Sequence, residues 1–241
     1  MSLLERLRKA WYRAGTRHVP DVTRPAAELR AAGFTSQYGQ DRFVVERLRG
    51  KRGGVFFEVG AHDGVTFSNT CGLERRFGWT GIAVEPSPAA FALLRRNRGC
   101  TVVNGCIAAA PGVALFLDIE GPAAMLSGLV DHYDPRHLAR IDREMRAGGG
   151  GRREVEVPCF TLEGLAAEHG ATRIDYLSID TEGGELAILR SIDFSRLDVN
   201  LISVENNYGD PRFRSLLAGA GFRLIARLAC DEIYQHARHL P

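Results

Sequence analysis

The 241-residue chain contains little lysine and no long hydrophobic run. Lys9 and Lys51 are its only lysines, so arginine carries nearly all of the positive charge, a bias that is typical of a GC-rich genome and indicates no function. No apolar run approaches the roughly 18 residues of a membrane span, so we expect none. Charges at positions 5, 6, 8 and 9 interrupt the N-terminal segment, and we also expect no secretory signal peptide.

The cysteines are few, odd in number and scattered. None of the five shares the Cys-x-x-Cys spacing that is typical of zinc sites, and an odd, dispersed set does not predict a disulfide framework. We therefore expect a reduced, cytoplasmic protein. The formal net charge of only +2 argues against a dedicated nucleic-acid binder, which usually has a larger basic surplus.

Strand-length apolar runs alternate with helix-length segments over most of the chain. This alternation predicts an α/β fold, a doubly wound and mostly parallel sheet with right-handed crossovers. Two short final strands are expected to close one edge. Strands are predicted at 55–59, 81–85, 101–105, 174–180, 199–205, 222–228 and 232–234, and helices at about 40–49, 69–77, 88–97, 184–191 and 211–219.

The N-terminal residues differ from this pattern. Leucines, Trp11 and Ala14 recur at helical spacing over residues 3–14, with basic residues mostly on the other face, which predicts an amphipathic helix. We expect it to pack on the domain or on a second subunit of a homo-oligomer, an anionic membrane surface being the alternative. Residues 15–35 are expected to be irregular. Residues 1–35 would then be a helical extension of a domain at 36–241.

A second departure is the insertion at residues 119–153. It is flanked by predicted strands at 113–117 and 154–158, contains a charged helix at 132–147, and ends in the glycine run 148–151. Long insertions with flexible tips are frequent as substrate lids, and we expect one here, although a surface excursion without a role is the alternative.

The strand at 55–59 leads into a glycine-bearing turn, Gly60-Ala61-His62-Asp63-Gly64. In α/β sheets such a turn binds nucleotide-like ligands. His62 stands where a dinucleotide fingerprint needs its second glycine, which argues against an NAD-dependent oxidoreductase. Glu85 ends the next strand, where it could hold a ribose diol, and Pro86 stops that strand so that the acid stays at its tip. A ligand with a ribose and no pyrophosphate fits this pattern, and S-adenosylmethionine is the common one.

Further residues can be assigned to parts of that ligand. Gly60 would let the backbone pass close beneath it, and the Glu58 carboxylate would hold the amino group of its methionine end. Ser68-Asn69 has the residue types of a helix N-cap, whether or not it also touches the cofactor. Cys106 and Ile107 follow the third strand, where the adenine would lie.

Acidic tips on two later strands provide candidate catalytic groups. Asp180 ends one strand and Glu205-Asn206 ends the next, and parallel neighbours lie only about 4.8 Å apart. We expect Asp180 and Glu205 to be catalytic, because a hydroxyl must lose its proton to attack a methyl group. With Asn206 they could bind Mg²⁺ or another divalent cation, an arrangement similar to that of catechol-type O-methyltransferases. The alternative is Asp180 as a hydrogen-bonding residue and Glu205 as a general base, without metal. Glu182 is expected to point elsewhere, or to assist through a water molecule.

The chain resembles the FkbM-like family of S-adenosylmethionine-dependent methyltransferases. That resemblance implies transfer of a methyl group to a hydroxyl of a sugar or natural-product small molecule. The matching pieces, in family order, are 36–41, 58–64, 68–70, 78–81, 84–86, 179–183 and 204–205. The resemblance implies that Gln37, Gln40, Gly60, Asp63, Ser68, Asn69 and Glu85 line the cofactor site. To these the predicted cofactor site adds Glu58, Ala61, Gly64, Pro86, Cys106, Ile107 and Asp180.

Two other functions are weighed against this one. A nucleic-acid methyltransferase usually carries a Pro-Pro-aromatic motif after the fourth strand, where this chain has Asp180-Thr181-Glu182-Gly183. A cofactor-binding scaffold without turnover would not need the acids at strand ends. His132 and His137, on the insertion, are candidate general bases, but we expect them to be solvated lid residues.

Overall fold

The computed structural model describes residues 15–240. In this range, eleven strands form two sheets, one of seven strands and one of four. In chain order they are β1 (Val55–Val59), β2 (Thr80–Glu85), β3 (Thr101–Asn104), β4 (Cys106–Ile107), β5 (Gly112–Ile119), β6 (Gly128–Leu129), β7 (Arg152–Phe160), β8 (Arg173–Ile179), β9 (Asp198–Glu205), β10 (Phe222–Leu228) and β11 (Asp231–His236).

Eight α-helices connect or flank these strands in the described part of the chain. Three begin with proline, whose fixed φ suits the first helical turn. They are α1 (Ala26–Ala31), α2 (Gln40–Arg47), α3 (Cys71–Phe77), α4 (Pro88–Asn97), α5 (Pro135–Gly148), α6 (Leu162–Glu168), α7 (Glu185–Ser191) and α8 (Pro211–Gly219).

The seven-stranded sheet has the order β10-β11-β9-β8-β1-β2-β3. β3, β2, β1, β8 and β9 pair in parallel, and β11 pairs antiparallel with both β9 and β10. Successive residues face opposite sides of a strand. Accordingly, Phe57 and Val59 belong to one apolar cluster, and Phe56 belongs to another. The strand order reverses between β1 and β8, which is where sheets of this kind bind ligands.

The prediction of an α/β fold with a mostly parallel, doubly wound sheet is confirmed, including the two final strands that close one edge. Three local predictions are wrong. Residues 15–35 are not wholly irregular, because α1 forms within them, and α6 was not predicted. The third strand ends at Asn104, because Gly105 turns the chain away with φ +157°. The amphipathic helix expected at 3–14 lies outside the described residues.

The insertion is more ordered than its sequence predicts. β5 and β7 pair antiparallel over eight residue pairs, from Gly112 with Cys159 to Ile119 with Arg152, and form a second sheet with β4 and β6. The predicted charged helix is α5, and the Asp134 side chain caps it by accepting the Arg136 N–H. The glycine run therefore follows a capped helix at the end of a β-ribbon.

Within residues 15–240, the structure has no helix whose length and apolarity would let it cross a membrane.

Candidate functional site

A cavity of about 480 Å³ opens at the point where the strand order reverses. Gly60, Glu85, Asp180 and Glu205 reach it from the carboxyl ends of four parallel strands. The second sheet and the insertion form another part of its wall, and they contribute Cys106, Ile107, Phe116, Asp118, Ile119, Met125, His132 and Arg140.

The backbone at position 60 requires a glycine, because its conformation and its close neighbours leave no room for a side chain. Its φ is +85°, and a Cβ built on it would lie 1.7 Å from the Asp180 carbonyl oxygen. The tips of β1 and β8 approach so closely because the Asp180 N–H donates to the Val59 carbonyl. A glycine at this position thus brings Asp180 next to the turn after β1.

Glu85 stands at the tip of β2 and lines the cavity, as the sequence predicts. Its two oxygens each accept one backbone hydrogen bond, from His62 N–H at 2.7 Å and from Ser87 N–H at 2.8 Å. Burial raises the pKa of this carboxyl to about 7. The side chain is therefore fixed in orientation, and each oxygen keeps a lone pair with which it can accept a ligand hydroxyl.

The Glu58 carboxylate is largely engaged inside the protein. It borders a small side pocket of the cavity, but its oxygens accept hydrogen bonds from Ser68 Oγ, the Asn69 N–H, Thr70 Oγ1 at 2.6 Å and Arg98 Nη1 at 3.1 Å. Arg98 is fully buried. Glu58 thus holds the loop after β1 in place, a role that the sequence analysis had not assigned to it.

Several other predicted residues of this loop face away from the cavity. The Asp63 carboxylate accepts from the backbone of Val65 and Thr66 within its own turn. Gly64, with φ +78°, packs against Leu94 and Arg98. The structure therefore brings neither Asp63 nor Gly64 to the main cavity or to its side pocket.

Ser68 and Asn69 are not the N-cap of the next helix, because that position is Thr70. Ser68 Oγ does accept from the Cys71 N–H, so it supports the first turn of α3. Asn69 Nδ2 donates to Ser178 Oγ, and Ser68, Asn69 and Ala61 border the side pocket. Gln37, Pro86, Cys106 and Ile107 line the main cavity, in agreement with their predicted placement.

Asp180, Glu182 and Glu205 form a cluster of carboxylates, with one oxygen of each within 4.8 Å of the others. Burial and the nearby charge of Asp231 raise the pKa of Asp180 well above its usual range, and burial and Asp180 do the same for Glu205. Burial also raises the pKa of Glu182 to about 7. The expectation that Glu182 points elsewhere is wrong, since a φ of +55° turns the chain there.

Asn206 does not join this cluster. Its side chain is engaged at the start of α8, where Nδ2 donates to the Asp210 carbonyl and Oδ1 accepts the Asp210 N–H at 2.7 Å. Of the predicted pair Glu205-Asn206, only Glu205 belongs to the cluster. Glu182 supplies the third oxygen in place of Asn206.

Of the two insertion histidines, His137 is buried and His132 is half-buried. His137 is 2% exposed, its Nε2 lies 3.2 Å from the Leu126 carbonyl, and its Nδ1 lies 3.4 Å from Glu182 Oε2. Burial lowers the pKa of His137. His132 lines the main cavity and packs against Gly184. The insertion therefore contacts the acid cluster directly.

A second cavity, of about 230 Å³, adjoins the first. Both are bordered by His132, Glu182, Glu205 and Asn207. The rest of its wall is aromatic and polar, and Arg136 lies over the ring of Tyr208 at 3.8 Å from the centroid.

Asp231 is a residue of the site that no sequence pattern predicts. This residue begins β11, opposite Glu205 of β9, and borders the side pocket. No spacing rule relates residues 205 and 231. They meet only because β11 pairs antiparallel with β9.

The mostly parallel sheet presents a fixed carboxylate and an acid cluster at its reversal point, where sheets of this kind bind ligands. Residues 58–224, more than half of the chain, match the methyltransferase FkbM domain family, and the chain belongs to that family. It is similar to 31-O-demethyl-FK506 methyltransferase FkbM of Streptomyces tacrolimicus, with 28% identity over 212 residues, which cover 77% of this chain and 80% of that protein.

Two solved structures are also similar. One is a TehB-like SAM-dependent methyltransferase from Corynebacterium glutamicum, with a TM-score of 0.42 and 12% identity, covering 87% of this chain and 93% of that one. The other is a precorrin-6y C5,15-methyltransferase from Geobacter metallireducens, with a TM-score of 0.38 and 12% identity, covering 76% and 70%.

Proposed function

We propose that this protein is an S-adenosylmethionine-dependent O-methyltransferase that acts on a hydroxyl of a sugar or natural-product small molecule. The observation that carries the proposal is the juxtaposition in one cavity of Glu85, a carboxylate suited to a ribose diol, with the cluster Asp180–Glu182–Glu205. The name of the Streptomyces relative specifies an oxygen, 31-O of FK506, and this supports oxygen as the acceptor atom.

The charge of the cavity fits the cofactor. Among the described residues that line it, six are carboxylic acids, and one, Arg140, is an arginine. Asp118 is paired with Arg153, and Glu182 lies 3.8 Å from Arg140, whereas Glu85, Asp180 and Glu205 have no ion pair among residues 15–240. Carboxylates without counter-charges are costly in a cavity, so a cation there would be stabilised. S-adenosylmethionine carries a sulfonium cation and, when bound, would supply the methyl group. Glu85 would hold its ribose, and Ile107 would pack against its adenine.

The acceptor would enter from the second cavity, whose wall of Tyr133, Tyr208 and Arg136 offers the aromatic and polar groups that suit a hydroxylated ring. Its hydroxyl would then reach the acid cluster, where Glu205 or Asp180 takes the proton. The raised pKa values of both carboxyls bring them closer to that of the alcohol and so favour proton acceptance. We assign the insertion at 119–153 as the lid, because its His132 lines both cavities.

The cofactor assignment is tested by replacing Glu85 with glutamine. We expect the dissociation constant of S-adenosylhomocysteine, measured by calorimetry, to rise about 10- to 100-fold, because a hydrogen bond to a charged group is lost. Glu156→Gln, the same change on an exposed residue of β7, should leave the constant unchanged. Equal affinity of the Glu85 variant and wild type would contradict the assignment.

A divalent cation is the second part of the proposal. The cluster offers three carboxylates in reach of one ion, and hard cations such as Mg²⁺ prefer such ligands. Treatment with EDTA is expected to abolish methyl transfer and added Mg²⁺ or Mn²⁺ to restore it. Activity that persists in chelator would assign the base role to the carboxylates alone.

The reaction itself is tested with radiolabelled S-adenosylmethionine and a panel of polyhydroxylated acceptors. Label is expected to appear on an acceptor oxygen. Cofactor binding without transfer to any acceptor would instead support a scaffold that lacks turnover.

A further inference from the structure

A side pocket of about 50 Å³ opens from the main cavity beside Gly60. It shares Gln37, Tyr38, Gly60 and Asp180 with the main cavity, so a ligand in the cavity can extend a small group into it. Its remaining wall comes from the ends of β1, β8 and β9, the loop after β1, Gln40, Met125 of the insertion and the start of β11.

In the part of the chain that the structure describes, the side pocket has two charged groups outside the acid cluster. Glu58 is already paired with Arg98, which leaves Asp231. It is 4% exposed, and its Oδ2 accepts the Gln40 Nε2–H at 2.6 Å. Gln40 is itself fixed, because its Oε1 accepts the Tyr38 N–H at 3.0 Å. The other oxygen, Oδ1, has only a long contact of 3.6 Å with Cys230 Sγ. The carboxylate is therefore held in one orientation and keeps an oxygen with capacity to accept.

Asn69 presents a second acceptor to the same pocket. The residue is 6% exposed, and its Nδ2 is engaged with Ser178 Oγ at 2.9 Å. Its Oδ1 is buried and has no hydrogen-bond partner among residues 15–240. Because a buried acceptor without a donor is costly, the pocket lacks a donor that a ligand could supply.

The chemistry of the pocket selects a cationic donor. Its described lining contains no lysine or arginine, while it contains Asp231 and the unpartnered amide oxygen of Asn69. An ammonium group has three N–H donors and a positive charge, and it would satisfy both residues at once.

We propose that Asp231 and Asn69 bind the α-ammonium group of the amino-acid part of S-adenosylmethionine, with Gln40 as the positioning residue for Asp231. The inference rests on the proposed cofactor. Ribose at Glu85 and ammonium at Asp231 place the cofactor across Gly60, which lines both spaces.

The test compares two ligands that differ only in this group. S-adenosylhomocysteine carries the ammonium, and its desamino analogue, 5′-S-(3-carboxypropyl)-5′-thioadenosine, lacks it. Neither has a sulfonium charge. Calorimetry with the wild-type protein is expected to show about 10- to 100-fold tighter binding of S-adenosylhomocysteine.

Asp231→Asn should reduce this preference to about threefold or less by weakening S-adenosylhomocysteine binding alone. Asp198→Asn is the matched control. It makes the same change at the start of β9, the end away from the side pocket, and it should keep the preference for S-adenosylhomocysteine. Asn69→Ala changes the loop after β1 and not β11, and it should lower the preference for S-adenosylhomocysteine about 3- to 10-fold. If circular dichroism shows that the Asp231 variant is unfolded, this second variant tests the proposal.

Two results overturn this inference and leave the proposed cofactor intact: equal wild-type affinity for both ligands, or variants that weaken both ligands alike. Failure of the wild-type protein to bind either ligand overturns the proposed cofactor and this inference together.

Discussion

Asp180→Asn and Glu205→Gln are each expected to lower the turnover number for methyl transfer by about 10²- to 10⁴-fold, the range that a general acid or base contributes. The amide cannot take a proton from the acceptor hydroxyl, and it removes a negative charge from the cluster that would hold a cation. Affinity for S-adenosylhomocysteine should change by no more than about threefold, because the ribose and the ammonium group of the cofactor are assigned to Glu85, Asp231 and Asn69. Single-turnover assays with radiolabelled cofactor measure the first quantity, and calorimetry measures the second.

The control is Glu168→Gln, a neutralisation of an exposed residue at the end of α6, which should keep wild-type turnover. The double variant of Asp180 and Glu205 should be about as slow as the slower single variant, because both side chains act on the same hydroxyl. If both single variants keep more than about a tenth of the wild-type turnover, the proposed chemistry at these strand tips is wrong.

Arg98→Met is expected to lower the free energy of unfolding by about 3–5 kcal/mol, the cost of removing one partner from a buried ion pair. The Arg98 side chain is 0% exposed and donates to Glu74 at 2.6 Å, to Glu58 at 3.1 Å and to Thr70 at 2.8 Å. Without it, Glu58 remains buried as a charge without a cation. Urea denaturation followed by circular dichroism measures the change.

Arg95→Met, on the exposed face of α4, should change stability by no more than about 0.5 kcal/mol. Combining Arg98→Met with Glu58→Gln should restore part of the loss, since the two residues interact directly. A loss below about 1 kcal/mol in the single variant would mean that solvent screens Glu58.

The structure brings together those predicted site residues that end a strand. Glu85, Asp180 and Glu205 line the cavity because the carboxyl ends of parallel strands share one edge of the sheet. The prediction differs from the structure within the loop after β1. There Glu58 pairs with Arg98, which lies forty residues further along the chain, and Asp63 bonds its own turn.

Residues from the insertion and the last strand were harder to place. His137 and Glu182 meet because α5 packs beside the loop after β8, although forty-five residues separate them. Local spacing also suggested Asn206 as a ligand, but the start of α8 engages its side chain first. The partner that each of these side chains binds depends on which group is nearest in space, and local sequence does not contain that information.

Local pattern alone determined the order of strands and helices, the parallel sheet and the acids at its tips, because apolar periodicity and strand ends are properties of short segments. Tertiary structure decided which of those acids are free to act. Buried charges find partners across the whole fold, so Arg98 engages Glu58, Asp210 engages Asn206, and the antiparallel placement of β11 brings Asp231 to the side pocket.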